Sequence, residues 1–180
     1  AGASGILVMP QIYVLKASRD ELLRRFELLA KAVDVPVVLY NSPRRATIDL
    51  TVDDVGALLS VAPIVGIKES SRDRSQRTRR RRTLGDRMSV MVGPAYYILA
   101  GSALGAAGFI SSGPEFLGKK AGRLMRMGRS APDAEYVSTH RQLSILYETL
   151  MSLGTWPSAL KAGLGLLGLP AGVPRDPLLP

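Results

Sequence analysis

The 180-residue chain has no cysteine, one histidine (His140), one tryptophan and three phenylalanines. Without cysteine there can be no disulfide, no thiolate nucleophile and no Cys-ligated zinc. A lone histidine also argues against a His-rich metal site, so neither a metal nor a cofactor is expected. No apolar run approaches the roughly 18 residues that a membrane span needs. The opening Ala1-Gly2-Ala3-Ser4-Gly5 lacks the charged and apolar regions of a signal peptide. A cytoplasmic location with no membrane partner is the expectation. What the chain does have is 46% hydrophobic residues, a globular composition that can build a real core.

The formal net charge is +9, which raises the question of nucleic acid. Much of that charge lies in one run, Arg72-Asp73-Arg74-Ser75-Gln76-Arg77-Thr78-Arg79-Arg80-Arg81-Arg82. The run has no aromatic platform, no helix-turn-helix or RNA-binding pattern, and almost no apolar positions to define a buried face. It reads as a solvated, weakly docked helix, with no nucleic-acid partner expected and anion binding a minor alternative.

Strand and helix patterns alternate along the first two thirds of the chain. Gly5 to Pro10 opens as a strand stopped by proline. Ser18 and Glu21 form a capping box for a helix with Leu22, Leu23, Phe26, Leu29, Ala30 and Val33 on one face. Pro36 to Tyr40 is a second strand, and Thr51, with Asp53 and Asp54 behind it, caps a short helix. Strands follow at Ile64 to Lys68, Met88 to Gly93 and Gly108 to Ser111, the last two leading into helices at about 95–104 and 114–127. Two further helices, about 132–153 and 157–167, precede a tail rich in proline and glycine. Residues 1–130 thus read as five βα units and 131–180 as a helical extension of the same domain.

Five alternations with short connections predict a parallel sheet with right-handed crossovers. A doubly wound fold would usually carry a glycine-rich phosphate loop after its first strand, and Pro10-Gln11-Ile12-Tyr13 is unlike one. A (β/α)8 barrel takes about 250 residues and eight strands, so this chain would form an incomplete one.

The stretch Ile64-Val65-Gly66-Ile67-Lys68-Glu69-Ser70-Ser71 carries the chemistry. A parallel strand covered on both faces should be a near-continuous apolar run, and a lysine within it is out of place. Apolar surroundings disfavour an ammonium, and a neutral lysine amine is a competent nucleophile for a carbonyl carbon. The bland alternative is that Lys68 is the first solvated residue past the strand. Tyr40 ends the preceding strand, about 4.8 Å away across a parallel ladder. Its phenol could shuttle protons during imine formation, or it could be an ordinary core aromatic.

Tyr40-Asn41-Ser42-Pro43-Arg44-Arg45, followed at the next strand by Gly66-Ile67-Lys68-Glu69, resembles the dihydrodipicolinate synthase / N-acetylneuraminate lyase family, pyruvate-type class I aldolases on a (β/α)8 barrel. Trp156-Pro157-Ser158-Ala159-Leu160-Lys161 is similar to that family's Pro-x-x-x-Lys helix. Leu164-Gly165-Leu166 and Pro174-Arg175 are similar to its ending.

The resemblance implies that Lys68 forms an imine with pyruvate or a related 2-oxo acid and that Tyr40 relays protons. It implies that Arg45 binds the carboxylate of a second, aldehyde substrate, and that Gly93 and Ile110 line the pyruvate end of the pocket. Tyr13 would stand where synthases place a tyrosine that reaches a neighbouring subunit.

The chain departs from the family in three places, one of them the family's C-terminal closing helix, which on this resemblance is cut at Pro180. The family's Gly-Thr-Thr-Gly-Glu loop, which grips the 2-oxo acid, has no counterpart. Gly93 is followed by Pro94-Ala95 where the family carries an acidic residue. On this reading the chain corresponds to the C-terminal five-eighths of such an enzyme, open to a homo-oligomer or a complementing chain. Two alternatives stand beside it: an inactive fragment acting by association or anion binding, and a sugar-acid dehydratase or lyase of the same family.

Overall fold

The structure, a computed structural model, describes residues 2–12, 17–71, 73, 82–85, 87–127 and 133–179. The Arg72–Arg82 run, apart from Asp73 and Arg82, lies outside the described residues, as does Tyr13.

In chain order the elements are β1 (Ile6–Val8), α1 (Arg19–Ala32), β2 (Val37–Asn41), α2 (Pro43–Ala46), α3 (Val52–Leu58), β3 (Ile64–Glu69) and β4 (Ser89–Val92). A 3-10 turn (Ala95–Tyr97) leads into α4 (Ile98–Ala103), then β5 (Gly108–Phe109) and a second 3-10 turn (Pro114–Leu117). The helices α5 (Lys119–Met127), α6 (Ala134–Ser152) and α7 (Ser158–Leu166) follow. The chain divides into two compact units, residues 1–93 with 101–110, and residues 94–100 with 111–180.

The five strands form one sheet in the order β1-β2-β3-β4-β5, every neighbouring pair parallel. This order decides between the two α/β architectures. A doubly wound sheet reverses its strand order at a switch point, whereas a (β/α) barrel adds each strand beside the last. The observed order is sequential throughout, the order of an incomplete barrel.

Local chemistry accounts for the helices that cover this sheet. Ser18 accepts from the backbone N–H of Glu21, and Glu21 accepts in return from the Ser18 N–H at 2.7 Å, closing the expected capping box of α1. These bonds also hold the Glu21 carboxyl below its usual range. Thr51 and Asp54 make the same reciprocal pair at α3. The helix α1 stops at Ala32, so Val33, expected on its apolar face, is instead the extended residue that ends it.

Leu22 and Phe26 from α1, and Val55 and Leu58 from α3, pack with Val37, Leu39, Ile67 and Val90 into one buried cluster. Each such side chain taken out of water contributes about 1.5–3 kcal/mol.

The two faces of the sheet differ. Leu39, Asn41, Ile67, Glu69, Val90 and Val92 are buried, while the alternating Val38, Tyr40, Lys68 and Met91 are only half-buried. Leu7, in register with Val38, is 43% exposed. A strand buried equally on both faces was the expectation for Ile64–Lys68. Instead the helix side is sealed and the other side, which carries the lysine, is open.

The second unit is built around α6, whose first turn is capped by Asp133 accepting from Tyr136 N–H at 2.7 Å. Tyr136, Leu143 and Leu150, spaced seven apart, form its buried stripe. Tyr96, Tyr97, Tyr147 and Trp156 contact one another edge-on or tilted. The tail is irregular, as expected. It is fastened to α7 where Lys161 Nζ donates to the Ala171 carbonyl and Ser158 Oγ to that of Leu179.

Candidate active site

Strands β2 and β3 each run one residue further than the sequence suggests, to Asn41 and Glu69. Tyr40 and Lys68 are therefore the penultimate residues, direct register partners in the parallel ladder. Period-two alternation puts both on the open face. There the Lys68 Nζ lies 4.1 Å from the centre of the Tyr40 ring, an ammonium over an aromatic face.

Arg45 completes the group from the next turn of chain. Pro43 occupies the first helical position of α2, where its missing N–H costs nothing. Thr47, at φ 60°, takes the left-handed conformation that ends α2 after a single turn. The turn brings Arg45 back over the strand end, and its Nη1 donates to the Tyr40 hydroxyl oxygen at 2.8 Å. A guanidinium has no acceptor, so the phenol's own proton points elsewhere.

Burial by itself would push the Tyr40 phenol up. The charges of Lys68 and Arg45, with hydrogen bonds from the hydroxyls of Ser42 and Ser70, outweigh it, and the phenol lies below its ordinary value. Deprotonation is easier there than for a free tyrosine, which suits a group that takes and returns protons.

The row beyond is built from Ser42, Ser70, Gly93 and Ile110, each two residues past the row of Tyr40, Lys68, Met91 and Gly108. The ladder continues through it: Ser70 N–H donates to Asn41 O at 2.8 Å, Gly93 N–H to Glu69 O at 2.9 Å and Ile110 N–H to Val92 O at 2.9 Å. Gly93 has to be glycine, because a Cβ there would lie 1.9 Å from Ser70 Oγ and 2.9 Å from the Glu69 carbonyl oxygen. Lys68 and Arg45 thus both contact Tyr40, and Gly93 and Ile110 stand one row away at the same strand ends. Tyr13 lies outside the described residues. Among the described residues no cluster of His, Asp and Glu could hold a metal, and no helix is long and apolar enough to cross a membrane.

Three further participants were not singled out from sequence. Asn41 and Glu69 sit behind the site on the sealed face, fully buried and hydrogen-bonded to each other, and Ser70 presents its hydroxyl to Tyr40. The signal was present in the alternation: each of the first two follows a site residue by one position, on register-matched strands.

The Dihydrodipicolinate synthetase family model matches residues 1–180. The chain belongs to that family. It is 33% identical over 174 residues to the 4-hydroxy-tetrahydrodipicolinate synthase of Desulforudis audaxviator (strain MP104C), covering 97% of this chain and 58% of that protein. The dihydrodipicolinate synthase structure from Aquifex aeolicus superposes with a TM-score of 0.87 at 29% identity, covering 98% of this chain and 60% of that one. The chloride-inhibited synthase of Acinetobacter baumannii, solved in complex with pyruvate, superposes with a TM-score of 0.88 at 26% identity, over 99% and 61%. The chain spans about three fifths of the length of these relatives.

Proposed function

We propose that this chain carries the imine-forming centre of a pyruvate-type class I aldolase, of the 4-hydroxy-tetrahydrodipicolinate synthase kind. It condenses or cleaves pyruvate, or a related 2-oxo acid, with an aldehyde. The observation that supports this most is the Lys68 amine lying over the Tyr40 ring while Arg45 donates to the Tyr40 oxygen.

In this mechanism the Lys68 Nζ, once deprotonated, attacks the keto carbon to give a carbinolamine. Tyr40 returns a proton to the departing hydroxyl, water leaves and the imine forms. Loss of a proton from the adjacent carbon gives an enamine, whose carbon bonds to the aldehyde. Hydrolysis of the resulting imine frees the product and Lys68.

Arg45 keeps the phenol acidic, and when a second substrate enters its guanidinium can turn to that carboxylate as a planar fork. Ser70 and Ser42 supply hydroxyls through which the Tyr40 proton can pass. Gly93 and Ile110 shape the end of the pocket that receives the 2-oxo acid. A homo-oligomer or a complementing chain is the expected partner, and the cytoplasm the expected location.

The test is borohydride reduction in the presence of pyruvate, followed by intact mass and peptide mapping. A reduced pyruvate adduct on Lys68, absent from Lys68→Ala and slowed in Tyr40→Phe, is expected. An adduct spread over surface lysines, or none at all, would overturn the assignment.

A further inference from the structure

Asn41 and Glu69 face away from the chemistry. Each lies one residue beyond a site residue, so alternation carries its side chain through the sheet to the sealed face. Both are fully buried there. A carboxylate in such a place is costly to desolvate and needs partners of its own.

The partners are specific. The Asn41 Nδ2 donates to Asp49 Oδ1 at 2.8 Å and to Glu69 Oε1 at 3.0 Å, which uses both amide hydrogens. The Asn41 Oδ1 accepts from the Leu50 N–H at 3.0 Å. The Glu69 Oε1 accepts a second bond, 2.7 Å, from the Ser71 N–H. Three pieces of chain are tied together: the end of β2, the loop at 49–50 and the end of β3 with the turn that follows it.

The side-chain network adds to the backbone ladder at this end, where Ser70 N–H donates to Asn41 O at 2.8 Å. The β2–β3 register already slips at Val37/Val38, where Val65 is left over in β3. Further sliding by one residue would send every side chain beyond it to the other face. The side-chain network sits at the opposite, functional end of the same pair of strands.

We propose that the Asn41–Glu69 pair is the positioning device of the site, pinning the end of β2 against the end of β3 so that Lys68 stays over Tyr40. As a part of catalysis this rests on the reading of Lys68 as the imine-forming residue. The pinning itself does not.

Two readouts separate those levels. The first is a spectroscopic titration of the Tyr40 phenol, taken as the tyrosinate absorbance difference between each protein and its Tyr40→Phe partner. With the pair intact, Tyr40 ionises below an ordinary tyrosine. Glu69→Ala is expected to raise its midpoint and to raise it no further in a Lys68→Met background, because the lost effect is the nearness of Lys68. Should Glu69→Ala fail to fold, Glu69→Gln, which keeps the size and one acceptor, carries the same test with a smaller rise.

The second readout is borohydride trapping of pyruvate. In Glu69→Ala the maximal trapping rate is expected to fall about tenfold or more, since misplacement of reacting groups is costly. The half-saturating pyruvate concentration should hardly change.

A folded Glu69 variant with an unmoved Tyr40 midpoint would overturn the proposal. So would a shift of equal size in the Lys68→Met background. If the unsubstituted protein never traps pyruvate while the Tyr40 midpoint moves as described, the pinning stands and the aldolase reading falls.

Discussion

Gly93 shows how little room the site leaves. Its absent side chain is the space that Ser70 Oγ occupies, at 1.9 Å from where a Cβ would be built. Gly93→Ala forces either the Ser70 turn or the end of β4 to move, an overpacking change that typically costs about 1–3 kcal/mol. The urea midpoint should fall accordingly, with the m-value unchanged. Combining it with Ser70→Gly removes the Oγ and Cβ clashes but not the one with the Glu69 carbonyl. The double variant should therefore recover part of the loss. A strictly additive pair would mean that the two residues do not share this space.

At this scale the chemical groups were legible and their support was not. Lys68 and Tyr40 stood out because a cation and a phenol interrupt apolar strands at matching ends. Asn41 and Glu69 looked like ordinary polar residues past the strand ends. Their burial became evident only once both strands proved one residue longer and the register was known.

Among the elements, α6 carries a titratable group at a place where charge is unwelcome. His140 is half-buried on this helix, and its Nε2 is buried without a hydrogen-bond partner. Burial lowers its pKa and a hydrogen bond with the Ala95 backbone opposes this only in part, so folding disfavours the imidazolium form. The sign follows: the unfolded chain, with an ordinary histidine near 6.5, takes up the proton first as pH falls. The contribution of His140 to stability is complete above about pH 6.5 and is lost as pH drops through the lowered folded value. Thermal melts of the protein and of His140→Gln should therefore differ most near pH 7.5 and draw together as pH falls below about 6.5. A gap that widens on acidification would show that His140 is protonated in the folded state.

Elements with capping boxes and clear periodicity, such as α1 and α3, were readable to within a residue or two. The short β5, Gly108–Phe109, was read as longer, since Ile110 and Ser111 continue its apolar pattern beyond the point where strand pairing ends. The arginine-rich run could be read only for what it lacks.

At the scale of the whole sheet, the decisive property is that one face is finished and the other is not. Among the described residues β1 and β5 each pair on one side only, leaving a row of backbone groups at either edge. On the open face Leu7 and Ile110 are exposed, at 43% and 36%, beside half-buried Val38 and Met91. Unpaired edges next to exposed apolar side chains favour association with another chain. The pattern of apolar residues could not reveal this, because a strand covered on both faces and one awaiting cover are written with the same residues. Sedimentation velocity over a wide concentration range should show this polypeptide associating. Leu7→Lys puts a charge on the open face of the edge strand without touching the sealed core, and is expected to shift the distribution toward monomer while leaving the unfolding transition in place. If the protein sediments as a monomer at every concentration, these edges are satisfied within the chain itself. If Leu7→Lys associates as readily as its parent, association proceeds through some other surface.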